Sequence, residues 1–319
     1  MEASRLSRPR GTWQAVFQQP ARILRLLSAV ALVPAAALIA GALLAYPVHL
    51  LLNLTGSVPF HKALSVAAVL GGLAASFAYL RLTGRSGAAA AGLVGAETEW
   101  RIHLPATAAG AVLLVLLLEF SLVLLDVRAL RHDQGITPYT IAHTFVRALL
   151  VGFVVAFVEE TIFRGALFTA LQRQGGGATA LFISSAIYAA VHYIKFPPVA
   201  ETPGWFTGLI FLPAAFRRFS DPAILDALLT LFVLGLLLGL MRLRSGKIIQ
   251  CIGFHAGLVG ALGLADFVTE HRPGAELGVL VSRYDQPLGW MAAAWLAVFV
   301  MVYLAVARGR PDAESESAD

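Results

Sequence analysis

Apolar runs long enough to cross a bilayer recur along the whole of this chain, separated by short polar segments. Hydrocarbon offers no water to the backbone, so each run must satisfy its own N–H and C=O groups, and helices do so. Eight spans follow, at about 24–46, 62–82, 104–125, 146–171, 178–196, 225–243, 247–265 and 288–307. The expected architecture is an all-α polytopic membrane protein of about eight transmembrane helices. Composition agrees: 58% of residues are hydrophobic, 13% are charged, and the mean hydropathy is +0.76, which excludes an ordinary soluble domain.

Charge orders the helices. The positive-inside rule makes lysine and arginine alternate in density from loop to loop. Arg5, Arg8, Arg10, Arg22 and Arg25 lie before the first span, and Arg81, Arg85 and Arg101 in the second loop. Arg173 follows in the fourth, Arg242, Arg244 and Lys247 in the sixth, and Arg308 and Arg310 after the last span. The opposite loops hold fewer, which places both termini in the cytoplasm. The expected organisation is a cytoplasmic segment over 1–23, one transmembrane domain over 24–307 and a disordered cytoplasmic tail over 308–319. Arginine outnumbers lysine, and alanine and glycine are abundant, which fits a bacterial plasma membrane. The basic residues form no patch, so the net charge of +5 reflects topology and not nucleic-acid binding. Cys251 is the single cysteine, which excludes a disulfide framework; it reads as a packed apolar residue.

Against this background the stretch AFVEETIFRGALF stands out, because ionisable residues inside a membrane cost about 2.5–3.5 kcal/mol each on insertion scales. Glu160 and Arg164 are four apart and share a helix face, where they can pair. Glu159 points about 100° away, free of that partner, and suits a general base or acid. Counting back from Arg173 puts Glu160 roughly 20 Å along its helix, and counting forward from Ala178 puts His192 roughly 21 Å along the next, at about 1.5 Å per residue. His255, in QCIGFHAGLVG, lies about 12 Å in by the same arithmetic and joins them if its helix begins a turn earlier. A carboxylate and two histidines converging at mid-depth in an intramembrane polar cavity make a hydrolytic site.

EETIFRG resembles the E-E-x-x-x-R signature of the CPBP family (CAAX protease and bacteriocin-processing), which includes type II CAAX prenyl endopeptidases. That family follows it with F-x-x-x-H and then a histidine in a later helix, often H-x-x-x-N. The three blocks here fall in the same order over about residues 140–265, the expected protease core. The resemblance implies an intramembrane endopeptidase in which Glu159 activates water and His192 helps to hold it. Glu160 and Arg164 would then brace the helix, and His255 would stabilise the oxyanion. Two positions depart from the pattern: Tyr188 stands where the family has Phe, and Val259 where Asn is common.

The implied partners are a membrane-bound protein or peptide substrate and the lipid bilayer. Two histidines and a glutamate also match the ligands of catalytic zinc sites, so Glu159, His192 and His255 would be the ligands of zinc or another divalent metal. No obligatory metal is expected, since only one of the three has a neighbour suited to support it. The same residues allow two other readings, a proton- or cation-coupled transporter and a catalytically inactive scaffold or regulator; no inverted repeat supports the first, and Val259 is the main sign of the second. Glu119, mid-span in VLLLEFSLVLL, is expected either to pair with Arg147 or to shape the cavity. Gly235 and Gly239 form a GxxxG pair, the mark of close helix packing.

Overall fold

In the computed structural model the apolar runs fold as helices packed through small residues. Residues 20–308 are described, except 55, 83–88, 90, 94–96, 133–134 and 200–201. The expected cytoplasmic segment 1–23, up to residue 19, and the expected tail, from residue 309 on, lie outside the described residues. The helices are α1 (Pro20–Leu52), α2 (Phe60–Leu82), α3 (Glu97–Leu124), α4 (Pro138–Glu160), α5 (Phe168–His192), α6 (Thr207–Phe211), α7 (Leu225–Ser245), α8 (Ile249–Val268) and α9 (Trp290–Arg308). A π-helical segment, Thr161–Leu167, joins α4 to α5.

Six stretches among the described residues are long and apolar enough to cross a membrane, against the eight expected. The difference has two causes. The fourth and fifth expected spans fall in one 55-residue run, Pro138–His192, and the last falls on the shorter Trp290–Val306. Gly176, at φ 82° and ψ 178°, breaks the long run and allows the chain to turn. The expected span 178–196 also stops early, because the helix ends at His192 and the residues after it are irregular.

Local chemistry sets the ends of two helices that carry the site. Thr137, in extended conformation before Pro138, forms a capping box with Thr140 and starts α4. Gly246, at φ 66°, closes α7 in the left-handed conformation.

Helix α8 lies against α3 and α4, and α7 against α5 and α9. Glycines allow these approaches. A Cβ on Gly235 would stand 2.8 Å from Ser185 Cβ and one on Gly239 2.7 Å from Leu181 Cδ1, so the GxxxG pair of α7 does mark close packing on α5. Helix α8 carries a second such pair, Gly253 and Gly257, unnoticed in the sequence: a Cβ on Gly257 would meet the Ala108 carbonyl oxygen at 2.4 Å. That neighbour is backbone and cannot swing aside. Gly257→Val is therefore expected to destabilise the protein by about 1–3 kcal/mol in detergent thermal melts; an unchanged melting temperature would contradict the packing.

One short sheet departs from the all-helical pattern. β1 (Arg128–Leu130) and β2 (Thr269–His271) pair antiparallel, with Arg128 opposite His271. Here the expectation for Glu119 is corrected. It pairs with neither Arg147 nor the cavity; its Oε2 lies 3.1 Å from Arg128 Nε and accepts from Thr269 Oγ1. Arg128 also bonds Asp266, so a buried guanidinium ties the ends of α3 and α8 together.

The loop after His192 is held inward by protein. Phe196 and Ala215 are buried against Ala42, Phe60 and Leu64 of α1 and α2, and Lys195 N–H donates to the Ala215 carbonyl. Beyond it the Tyr284 hydroxyl donates to Asp221, a bond that holds this carboxyl below its usual range.

Candidate active site

Helix α4 ends on the two glutamates because the chain changes register there. The Thr161 hydroxyl donates back to the Phe157 carbonyl at 2.6 Å, a bond that competes with the helical ladder. The seven residues Thr161–Leu167 take the wider π form, a register often found at functional sites. Gly165 lets this segment seat against Ala91, since a Cβ there would stand 3.0 Å from the Ala91 carbonyl oxygen.

Glu160 and Arg164 are both fully buried, with Arg164 Nη1 donating to Glu160 Oε1 at 3.2 Å. Their spacing announced this contact. Two further partners of the pair come from elsewhere in the chain: Arg164 Nη2 donates to the Gly235 carbonyl, and its guanidinium lies 4.2 Å from the centre of the Tyr188 ring. His255 Nδ1 is hydrogen-bonded to the same Glu160 oxygen at 2.8 Å. Glu160 thus joins the arginine of its own segment to the histidine of α8.

Glu159 faces the two imidazoles. His192 Nε2 is 3.5 Å and His255 Nε2 4.0 Å from Glu159 Oε2. The opposite nitrogen of His192, Nδ1, donates to the Tyr188 carbonyl at 2.7 Å, because a carbonyl can only accept. Both rings are therefore fixed through Nδ1 and present Nε2 to the same oxygen. That oxygen is buried without a hydrogen bond of its own, as are Glu160 Oε2 and Arg164 Nε.

Glu159 and His192 open on a cavity of 280 Å³. Its other walls are mainly apolar, with Ala37 and Leu38 from α1, Ala68 and Val69 from α2, and Ile162 and Phe163 beside the acids. The first two helices, which add nothing to the sequence motifs, supply one side of it.

The five expected site residues, Glu159, Glu160, Arg164, His192 and His255, are thus brought into one cluster. The departures from the family pattern separate. Tyr188 is buried inside the cluster, its ring 4.4 Å from that of His192. Val259 packs against α4, 2.9 Å from where a Cβ would stand on Gly152.

The reason given for expecting no obligatory metal is corrected, because both histidines have the Nδ1 acceptor that orients a metal-ligating imidazole. The second, a backbone carbonyl four residues back, carries no side-chain signature. As placed, however, the described residues contain no group of three or more His, Cys, Asp or Glu able to hold a metal ion.

One residue of the site was misread in the sequence. Arg242, counted there among the cytoplasmic loop charges, is buried at 8% exposure, and its Nε donates to the Arg164 carbonyl at 2.9 Å. Cys251 is fully buried, the packed residue expected.

Residues 141–260, which hold all five clustered residues, match the family model described as type II CAAX prenyl endopeptidase Rce1-like. No curated protein and no solved structure matches the chain. The matched segment, with its acids and histidines gathered on apolar helices, is similar to the CAAX protease (CPBP) family and supports a relationship to it.

Proposed function

We propose that this protein is an intramembrane endopeptidase that hydrolyses a peptide bond of a membrane-associated protein or peptide, with both termini in the cytoplasm of a bacterial cell. The observation that carries the reading is the convergence of two imidazole Nε2 atoms on one buried, unbonded carboxylate oxygen at a cavity wall. The Rce1-like match supports a peptidase, and the apolar walls suit a substrate that arrives from lipid.

The reaction divides among the residues by geometry. A water between Glu159 Oε2 and His192 Nε2 loses its proton to the carboxylate as its oxygen attacks the scissile carbonyl. The carbonyl oxygen gathers negative charge, and His255, in its cationic form with Nδ1 on Glu160, offers Nε2–H to it. Collapse of the tetrahedral intermediate breaks the C–N bond, and Glu159 returns the proton to the leaving amine. Arg164 offsets the charge of Glu160, the acid that orients His255 beside the acid that acts as base.

Hydrolysis of a membrane-peptide library by purified protein tests this. Wild type is expected to cleave, His192→Ala to lose roughly 10²-fold or more in kcat, and a chelator to leave wild-type turnover unchanged. An inert wild type, or a His192→Ala variant cleaving at the wild-type rate, would sink the proposal. Loss of turnover with chelator, restored by added zinc, would replace the metal-free step.

A further inference from the structure

The π segment raises a question that the catalytic cluster does not answer: what holds a wide helical turn in place under the two glutamates. An α-helix would direct the Phe168 N–H to the carbonyl of Arg164, four residues back. Here that N–H donates instead to the carbonyls of Phe163 and Gly165. The Arg164 carbonyl receives Arg242 Nε, at 2.9 Å, from the last turn of α7. Arg242 Nη2 also donates to Thr169 Oγ1, at 3.2 Å, on the first turn of α5 after the π segment. One planar guanidinium therefore grips the chain on both sides of the point where π gives way to α, a bidentate hold that a lysine could not reproduce.

The grip is itself enclosed. Gly92, at φ +72°, lies over the guanidinium, where a Cβ would approach Arg242 Cζ to 3.0 Å, and its carbonyl accepts from Ile248 N–H at the start of α8. Gly165 packs on Ala91 of the same turn. The segment before α3, the end of α7 and the start of α8 thus meet on Arg242, and α8 carries His255 less than two turns further on. A buried cation whose bonds go to the backbone of the π segment and to Thr169 is there for that backbone.

We propose that Arg242 is a positioning residue, which maintains the π register by binding the Arg164 carbonyl and so keeps Glu159 facing His192 and His255. Arg242 touches no reacting atom; its influence passes through the backbone between residues 164 and 169. The inference rests on the hydrolytic reading for its kinetic consequence, while the structural claim has its own readout.

The test compares wild type, Arg242→Lys, Arg242→Gln and Thr169→Val, each purified full length in detergent. Amide exchange across 161–169, measured without substrate, is expected to rise in both Arg242 variants relative to the rest of α4 and α5. On a cleaved library peptide, kcat per folded enzyme is expected to fall roughly 10–100-fold in Arg242→Lys with KM changed little, since a displacement near 1 Å can cost that much. The pH profile of kcat/KM should shift with it, and Thr169→Val, which removes the lesser bond, should lose about threefold or less. Unchanged exchange across 161–169 overturns the inference whether or not the protein turns over. So does a variant that melts earlier yet keeps the wild-type kcat and pH profile per folded molecule. A wild type that cleaves nothing defeats the hydrolytic reading instead, and exchange then decides the register claim alone.

Discussion

Glu159→Gln is expected to lower peptide hydrolysis by roughly 10³–10⁴-fold, the upper range for loss of a general base, with little change in melting temperature. The substitution keeps the shape of the side chain and removes only the charge and the proton-accepting oxygen. Glu159 Oε2 accepts no hydrogen bond from the protein, and the side chain stands at a cavity wall at 22% exposure, so the fold depends little on its charge. Substrate binding should persist, because the cavity walls are chiefly apolar groups that the mutation leaves alone. The expected signature is a collapse in kcat with KM nearly constant, measured by single-turnover and steady-state hydrolysis of one cleaved peptide. A Glu159→Gln protein that retains a tenth of wild-type kcat would remove this residue from the role of base.

The second large effect concerns stability. Arg164→Met leaves Glu160 wholly buried with His255 as its remaining hydrogen-bond partner, and breaking a buried pair in this way costs about 3–5 kcal/mol. Most of that is the penalty on the stranded carboxylate. The double variant Glu160→Gln/Arg164→Met removes the stranded carboxylate together with the arginine, so it is expected to recover a large part of the loss, by thermal unfolding in detergent. Activity should not recover, because His255 Nδ1 has then lost the carboxylate that orients it. If the double variant were less stable than Arg164→Met, the two side chains would not be acting as a compensating pair.

These two predictions differ in how visible their residues were beforehand. The Glu160–Arg164 contact is local, four residues apart, and helical spacing alone announces it. The meeting of Glu159 with His192 was legible at one remove: antiparallel helices of fixed rise bring residues counted from the same side to one depth. His255 could be brought near by the same count but not attached to Glu160, because rotation about the α8 axis is set by Gly253 and Gly257 seating against α3. Arg242 was misread for a related reason. A basic residue at the end of an apolar run looks like any loop charge, and only the π register supplies the carbonyl that draws it inside. Glu119 was assigned the wrong arginine because Arg128 reaches it through a strand pairing of three residues, too short to leave a pattern.

Residue order was enough to reveal the class of the molecule, the helical form of its runs and the residue types available for chemistry. Each of these follows from local quantities, the hydropathy of a window and the spacing of neighbours along one helix. Tertiary structure alone decided that α1 and α2 wall the cavity beside Glu159, that Glu160 is shared between Arg164 and His255, and that both imidazoles present Nε2 to one oxygen. Those outcomes depend on how close helices approach and how far each rotates. Both are settled by glycine contacts and by a single change of helical register, which no one segment encodes.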